Sequence, residues 1–133
     1  MVMDLWVSNE KGGSVGKAKS SRINGGRADL RSHIQKVLVK DCDEYEYAFG
    51  RQSSEVLKRI IYDPVDAMRW LILTKAGSTG FIKLVRAGKK GITVESRFLQ
   101  FSQEFGKDFE RLVGIDFEAI KAKAKSSLIE EIA

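Results

Sequence analysis

Residues 69–113 read RWLILTKAGSTGFIKLVRAGKKGITVESRFLQFSQEFGKDFERLV. Three apolar runs, 70–73, 81–85 and 92–94, are separated by turns rich in glycine and lysine. Short apolar runs bounded by such turns are typical of strands joined by hairpins. The stretch therefore predicts an α+β fold, in which amphipathic helices cover one face of a small antiparallel sheet, a meander of about three to five strands.

The end of this stretch predicts a helix over the sheet. Aromatic and aliphatic residues recur at steps of three and four, which is the period of a helix with one buried face; they are Phe98, Phe101, Phe105, Phe109 and Leu112. Ser96 is the predicted N-cap. Gly114 followed by Ile115 predicts a left-handed C-terminal cap closed by a hydrophobic contact.

The segment before the sheet allows two interpretations. Asp63 followed by Pro64 is a good helix start, and such a helix would run to Lys75. The alternative is a strand over 68–74, because a continuous apolar run of this length has no decisive period. The sequence favours the strand, since residues 76–80 suit a hairpin connection.

The remaining elements follow from periodicity. Helical spacing predicts helices over 28–39 and 55–62, and a last helix that starts at Asp116. In the acidic segment 41–49, Tyr45, Tyr47 and Phe49 alternate with other residues, which predicts a strand with a solvated acidic face.

Composition limits the class of protein. The chain has 133 residues, a formal net charge of +5, one cysteine and one histidine. This length suits a single domain, residues 1–133, and one cysteine and one histidine are too few for a zinc site or an internal disulfide. We predict no cofactor and no metal. The chain shows neither a signal peptide nor a membrane-spanning run, which predicts a cytoplasmic or nuclear protein.

Residues 9–27 predict a flexible arm rich in glycine, serine and lysine. Within it, residues 11–17 require comparison with the phosphate-binding loop G-x-x-x-x-G-K-[ST]. Gly16 and Lys17 match, but Lys11 stands at the first glycine and Ala18 at the hydroxyl position. Residues 9–13 also resemble the deviant Walker A opening of partition-type ATPases, which implies a nucleotide-binding protein as a third hypothesis.

Two basic regions predict the function. Lysine and arginine with no neighbouring acids bind phosphate backbones, and aromatic side chains stack on unpaired bases. The sequence thus predicts a non-enzymatic nucleic-acid-binding protein, with single-stranded DNA or RNA favoured. The predicted phosphate-binding residues in the arm and on the sheet rim are Lys17, Lys19, Arg22, Arg27, Lys75, Lys83, Arg86, Lys89, Lys90 and Arg97, and the candidate stacking residues are Tyr47, Trp70 and Phe81.

Residues 88–94, GKKGITV, followed by a helix, are similar to the G-[KR]-K-G-I-[ST]-[LV] turn and strand of the positive-cofactor-four type of single-strand-binding transcription coactivators. The resemblance covers seven residues and the helix after them. The tryptophan that this family has early in the helix is absent, and Phe98 is the nearest aromatic. The resemblance implies a curved sheet, a homodimer and single-stranded DNA in the channel of the sheet.

A different class of function stays open. The acidic segment 41–49 or the terminal helix can serve a protein–protein interaction module, such as a small inhibitor or accessory subunit of viral or plasmid origin. Such a module would engage a protein partner or a second copy of itself rather than nucleic acid.

Overall fold

The computed structural model describes residues 27–50, 54–74 and 78–132. The predicted arm, residues 9–27, lies outside this part except for Arg27, and so does the loop tested for nucleotide binding. Seven α-helices and one 3₁₀ turn (Lys90–Ile92) make up nearly all of the described chain. In order they are α1 Arg27–Phe49, α2 Ser54–Tyr62, α3 Pro64–Leu73, α4 Ser78–Arg86, α5 Val94–Phe105, α6 Lys107–Val113 and α7 Phe117–Ile132.

The predicted α+β fold is wrong, because the described ranges contain helices and no strand. Run 70–73 lies in α3, run 81–85 lies in α4, and run 92–94 joins the 3₁₀ turn to α5. In α4 the buried residues are Phe81 and Leu84, which stand at helical spacing. An apolar run of five residues fits either period, so only its packing decides. The curved sheet implied by residues 88–94 is not found in the described part of the chain, where these residues form a turn, the 3₁₀ turn and the start of α5.

The strand predicted over 41–49 is also wrong, because these residues are the last turns of α1. The buried stripe of α1 continues through Leu38 to Cys42. Tyr45 and Phe49 stand one turn apart and their ring centroids are 5.0 Å apart. Tyr47 is 95% exposed. A period of two over five residues is a weaker signal than a helical stripe continued over several turns.

The start signal at Asp63 and Pro64 is confirmed. Asp63 is the N-cap of α3, and its carboxylate accepts hydrogen bonds from the backbone N–H groups two and three residues on. The helix ends at Leu73, close to the predicted Lys75, and the favoured strand over 68–74 is wrong. The apolar run is continuous because α3 is buried on most of its sides.

The phenylalanine stripe forms the core as predicted, but on two helices instead of one. The rings of Phe98 and Phe109 lie 5.0 Å apart, and Phe98 lies 5.6 Å from Phe117. Gly106, with φ of 53°, separates α5 from α6. This break lets a seven-residue helix turn back over the same core.

Two predicted caps differ in detail. The N-cap of α5 is the buried Thr93, whose hydroxyl oxygen accepts a hydrogen bond from the N–H of Ser96 at 3.1 Å. Ser96 is therefore inside the helix. Ile115 is fully exposed, so the hydrophobic contact predicted after Gly114 does not form.

The helices pack as a cluster with α4 on its outside. α5 packs against α7, α3 and α6, and α1 packs against α2, α3 and α6. α4 contacts mainly the 3₁₀ turn that follows it and buries only one side. Its opposite side is thereby free to carry charged residues. No helix in the described ranges combines the length and the hydropathy that crossing a bilayer requires.

Replacing Gly114 with alanine is expected to lower the free energy of unfolding by about 1–3 kcal/mol. Gly114 has φ of 101° and ψ of −154°, a region essentially reserved for glycine, while a Cβ there would meet no atom within 4 Å. The cost is therefore backbone strain alone. Urea denaturation measures it, with Gly91→Ala as the control. Gly91 has the same open surroundings without a positive φ, and an equal loss in both variants would contradict the prediction.

Candidate functional site

The structure divides the predicted nucleic-acid-binding residues into three groups. Lys83 and Arg86 are exposed on α4, and Lys90 is exposed in the 3₁₀ turn. Lys89 and Arg97 are held by carboxylates. The others lie outside the described part of the chain, and they are Lys17, Lys19, Arg22, the side chain of Arg27, and Lys75.

Arg97 belongs to a buried ion pair rather than to a binding surface. Its Nε and Nη2 donate to the two carboxylate oxygens of Asp41 at 2.7 and 2.9 Å, and the side chains of Arg97 and Asp41 are only 21% and 10% exposed. The hydrogen bonds to Asp41 raise the pKa of Arg97, whereas burial raises the pKa of Asp41 against the effect of Arg97. The paired geometry keeps both groups charged at neutral pH. Arg97 thus ties α5 to α1.

Other cations of the helical cluster are also engaged. Each donates to a carboxylate of its own or a neighbouring helix or of a loop. The pairs are Arg31 with Asp63 at 2.6 Å, Arg59 with Glu55 at 2.8 Å, Arg69 with Asp116 at 2.7 Å, and Lys89 with Glu44 at 3.3 Å. Arg69 also donates to the carbonyl oxygen of Val113 at 2.7 Å. These cations serve mainly to join elements of the fold.

Lys83, Arg86 and Lys90 form what we call the basic surface. Lys83 and Arg86 stand three residues apart, and therefore on one face of α4. Among the described residues none of the three has a carboxylate partner, and the sequence contains no acid between Asp66 and Glu95. The basic surface therefore carries positive charge that the fold does not neutralise.

The acidic end of α1 lies near this surface but is split between two faces of the helix. Glu44 faces the turn after α4, where it binds Lys89. Asp43 and Glu46 lie about 100° and 160° around the helix from Glu44, because successive residues of a helix are about 100° apart. Glu44 is therefore the acid of this group that contacts the turn after α4.

The three candidate stacking residues are not brought together. Phe81 is only 8% exposed, so it offers no face on which a nucleic-acid base could stack. Trp70 is half-buried and carries the guanidinium of Arg59 at 4.0 Å from its ring centroid. Tyr47 alone of the three is exposed, at the end of α1. The fold therefore provides no aromatic platform made from these residues.

A second candidate feature is a cavity of about 200 Å³ between α3, α4, α5 and α7. The lining that comes from α3, its C-cap and α4 is mainly apolar; it consists of Leu71, Ile72, Phe81 and Ile82, with the hydroxyl residues Thr74 and Ser78. The lining that comes from the other two helices is polar and contains Glu95 of α5 with Lys123, Ser127 and Glu130 of α7. The three α7 residues face the cavity together because they are spaced by four and three positions.

Glu95 is the most perturbed group in this cavity. It is only 7% exposed, and burial raises its pKa from 4.5 to about 7, although its own backbone N–H and the charge of Lys123 act against the shift. A carboxyl with such a pKa exchanges its proton near neutral pH. Perturbed groups inside cavities are candidates for binding and for proton transfer.

The described residues do not bring three or more histidine, cysteine, aspartate or glutamate side chains together as a metal site would require. The cavity contributes two carboxyl groups, and the basic surface contributes none. Comparisons with models of protein families, with curated proteins and with solved structures found no match to this chain.

Sequence reasoning missed Glu95, Lys123 and Glu130. One signal was present, because Glu95 is the only acid between Asp66 and Glu104. An isolated acid in an apolar and basic segment indicates a buried or specialised carboxyl. The partners on α7 carried no such signal, because their approach to α5 depends on the packing of the two helices.

Proposed function

We propose that this protein binds nucleic acid without an enzymatic step, through contacts between phosphates and the basic surface. One observation carries the proposal. Lys83, Arg86 and Lys90 stand exposed and without carboxylate partners among the described residues, in a segment of the sequence that has no acid between Asp66 and Glu95. Cations without internal partners and without neighbouring acids are the groups that an external polyanion can neutralise.

The physical basis is the release of counterions. A nucleic acid carries condensed cations, and a protein that contacts its phosphates with lysine or arginine displaces them. Such binding requires no cavity and no base contact, so the exposed side of α4 suffices. Because Lys89 is held by Glu44 and Arg97 by Asp41, these two residues are removed from the predicted contact set.

The structure removes one of the two reasons for expecting single-stranded nucleic acid rather than duplex. That expectation depended on a sheet with accessible aromatic residues, and the chain folds without a sheet in its described part. The proposal is therefore one of phosphate contacts, to which Tyr47 can add stacking on an unpaired base. Such a function accords with a cytoplasmic or nuclear location, where nucleic acids are present.

Replacing all three residues of the basic surface by glutamine is expected to weaken binding and its salt dependence. Each phosphate contact contributes about 0.9 to the slope of log K against log salt concentration for duplex DNA, so the variant should lose roughly two to three units of slope. The measurement is a titration of labelled single-stranded and duplex oligonucleotides at several salt concentrations. Affinity at the lowest salt should fall by about tenfold or more.

The matched control replaces Lys36, Lys58 and Lys125 by glutamine. These lysines are exposed on three other helices, so the control changes the net charge by the same amount at scattered positions. Equal losses in the two triple variants would mean that only net charge matters, and the proposed surface would be rejected. Absence of binding by the unmodified protein at low salt would reject the function itself.

A further inference from the structure

Glu95 is a buried carboxyl that receives no hydrogen bond from a side chain of residues 27–50, 54–74 and 78–132. Its residue is 7% exposed, and its own backbone N–H and the charge of Lys123 are the groups that favour its ionised form. Buried charged or polar groups are normally satisfied by partners, and an orphaned carboxyl destabilises the fold. A ligand that donates a hydrogen bond to this carboxyl would remove the destabilisation.

The charges around Glu95 favour a cation. Lys123 and Glu130 on α7 are the other titratable groups that line the cavity, and the lining residues of α3 and α4 contribute none. With Glu95 ionised, two carboxylates face one ammonium. The cavity then holds one negative charge in excess, which a single positive charge would neutralise.

The apolar part of the lining limits the rest of the ligand. Leu71, Ile72, Phe81 and Ile82 offer an apolar surface in the same cavity as Glu95, beside the hydroxyls of Thr74 and Ser78. The volume, about 200 Å³, is below the roughly 300–1,000 Å³ of pockets for drug-sized ligands. A short alkyl chain suits this wall, whereas a ring system with several substituents is too large.

We propose that the cavity between α3, α4, α5 and α7 binds a small aliphatic amine, whose ammonium donates to Glu95 and whose alkyl chain packs against Phe81 and its apolar neighbours. This site is separate from the basic surface, which occupies the exposed side of α4. A result that rejects one of the two proposals therefore does not reject the other.

The test uses n-butylammonium as the probe and butanoate as a probe of similar shape and opposite charge. Both are titrated into the full chain labelled with ¹⁵N, and the backbone amide signals of Glu95 and Ser127 are followed. We expect butylammonium to shift these signals in a saturable way and butanoate to leave them unchanged. Replacement of Glu95 by glutamine should weaken amine binding by about tenfold, because a charged hydrogen bond is lost.

Two further measurements separate this site from a non-specific effect. Lys123→Gln removes the competing ammonium and should strengthen amine binding, while a site built for anions would lose affinity. Amine affinity should also rise by about tenfold from pH 6 to pH 8, as Glu95 ionises while the ligand stays charged. That dependence should disappear in Glu95→Gln.

Three results would overturn the proposal. They are a stronger response to butanoate than to butylammonium, an amine affinity that Glu95→Gln leaves unchanged, and signals that do not move at any concentration tested. Nucleic-acid binding by Glu95→Gln should equal that of the unmodified protein, so failure at this cavity is distinguishable from failure at the basic surface.

Discussion

Replacing Asp41 by leucine is expected to lower the free energy of unfolding by about 3–5 kcal/mol. The substitution leaves the largely buried guanidinium of Arg97 between α1 and α5 without its carboxylate, and Gln100 is then its one remaining side-chain acceptor among the described residues. Arg97→Met should cost a similar amount, because the buried Asp41 carboxylate then loses both hydrogen bonds. Urea denaturation of the single variants measures each loss.

The double variant makes this prediction sharper. Replacing both partners by apolar residues of similar size removes the unpaired charge, and such exchanges are often neutral or stabilising. We therefore expect Asp41→Leu combined with Arg97→Met to recover most of the stability lost in either single variant. If the two losses simply add, the residues do not act as a pair. Arg111→Met removes an exposed pairing with Asp108, and this control should change stability by less than about 1 kcal/mol.

Replacing Glu95 by glutamine is expected to stabilise the protein above neutral pH by up to about 3 kcal/mol. The pKa of Glu95 is raised from 4.5 to about 7 by burial. The folded state thus binds the proton more tightly than the unfolded state does. The stability that this group contributes is present below about pH 4.5 and is lost as pH rises to about 7, beyond which it stays constant. Glutamine keeps the shape of the protonated form and cannot ionise.

The measurement is the difference in unfolding free energy between Glu95→Gln and the unmodified protein, taken from pH 4 to pH 9. Other titrating groups are common to both proteins and cancel in the difference. The difference should be small at the acid end, grow between about pH 4.5 and 7, and then level off. A difference independent of pH would show that Glu95 is not buried as the structure places it. Glu104→Gln, an exposed change on the same helix, is the matched control, and a profile equal to that of Glu95→Gln would contradict the prediction.

The start of α3 and the phenylalanine spacing were predicted correctly, whereas the caps predicted at Ser96 and at Gly114 with Ile115 were wrong. Asp63 and Pro64 specified the start of α3 through backbone hydrogen bonds that need no distant partner. The spacing of Phe98, Phe101 and Phe109 identified core residues correctly, even though a break at Gly106 divides them between two helices. The geometry of these patterns depends on residues that are close in sequence. The predictions made from them are therefore correct even though the predicted fold class is wrong.

The fold class failed where short apolar runs had to be assigned a period. Residues 81–85 fit a strand or a helix equally, and the burial of Phe81 and Leu84 on one side of α4 decides between them. Glycines and lysines at 88–91 suggested a tight turn between two strands, although they lie after the end of α4 and lead into a 3₁₀ turn. Pairings such as Asp41 with Arg97 were likewise out of reach, because 56 residues separate the partners.

The N-cap of α3 has a consequence for the order in which the chain folds. The Oδ1 atom of Asp63 accepts from the N–H groups of Val65 and Asp66 at 3.1 and 3.2 Å, and also from Arg31, 32 positions earlier, at 2.6 Å. The first two contacts close within a single turn, while the third needs a long loop to close at an entropic cost. We expect the corner between α2 and α3 to form first and then to serve as the anchor on which α1 docks. The same carboxylate oxygen would thus first fix the start of α3 and then hold α1 against that corner.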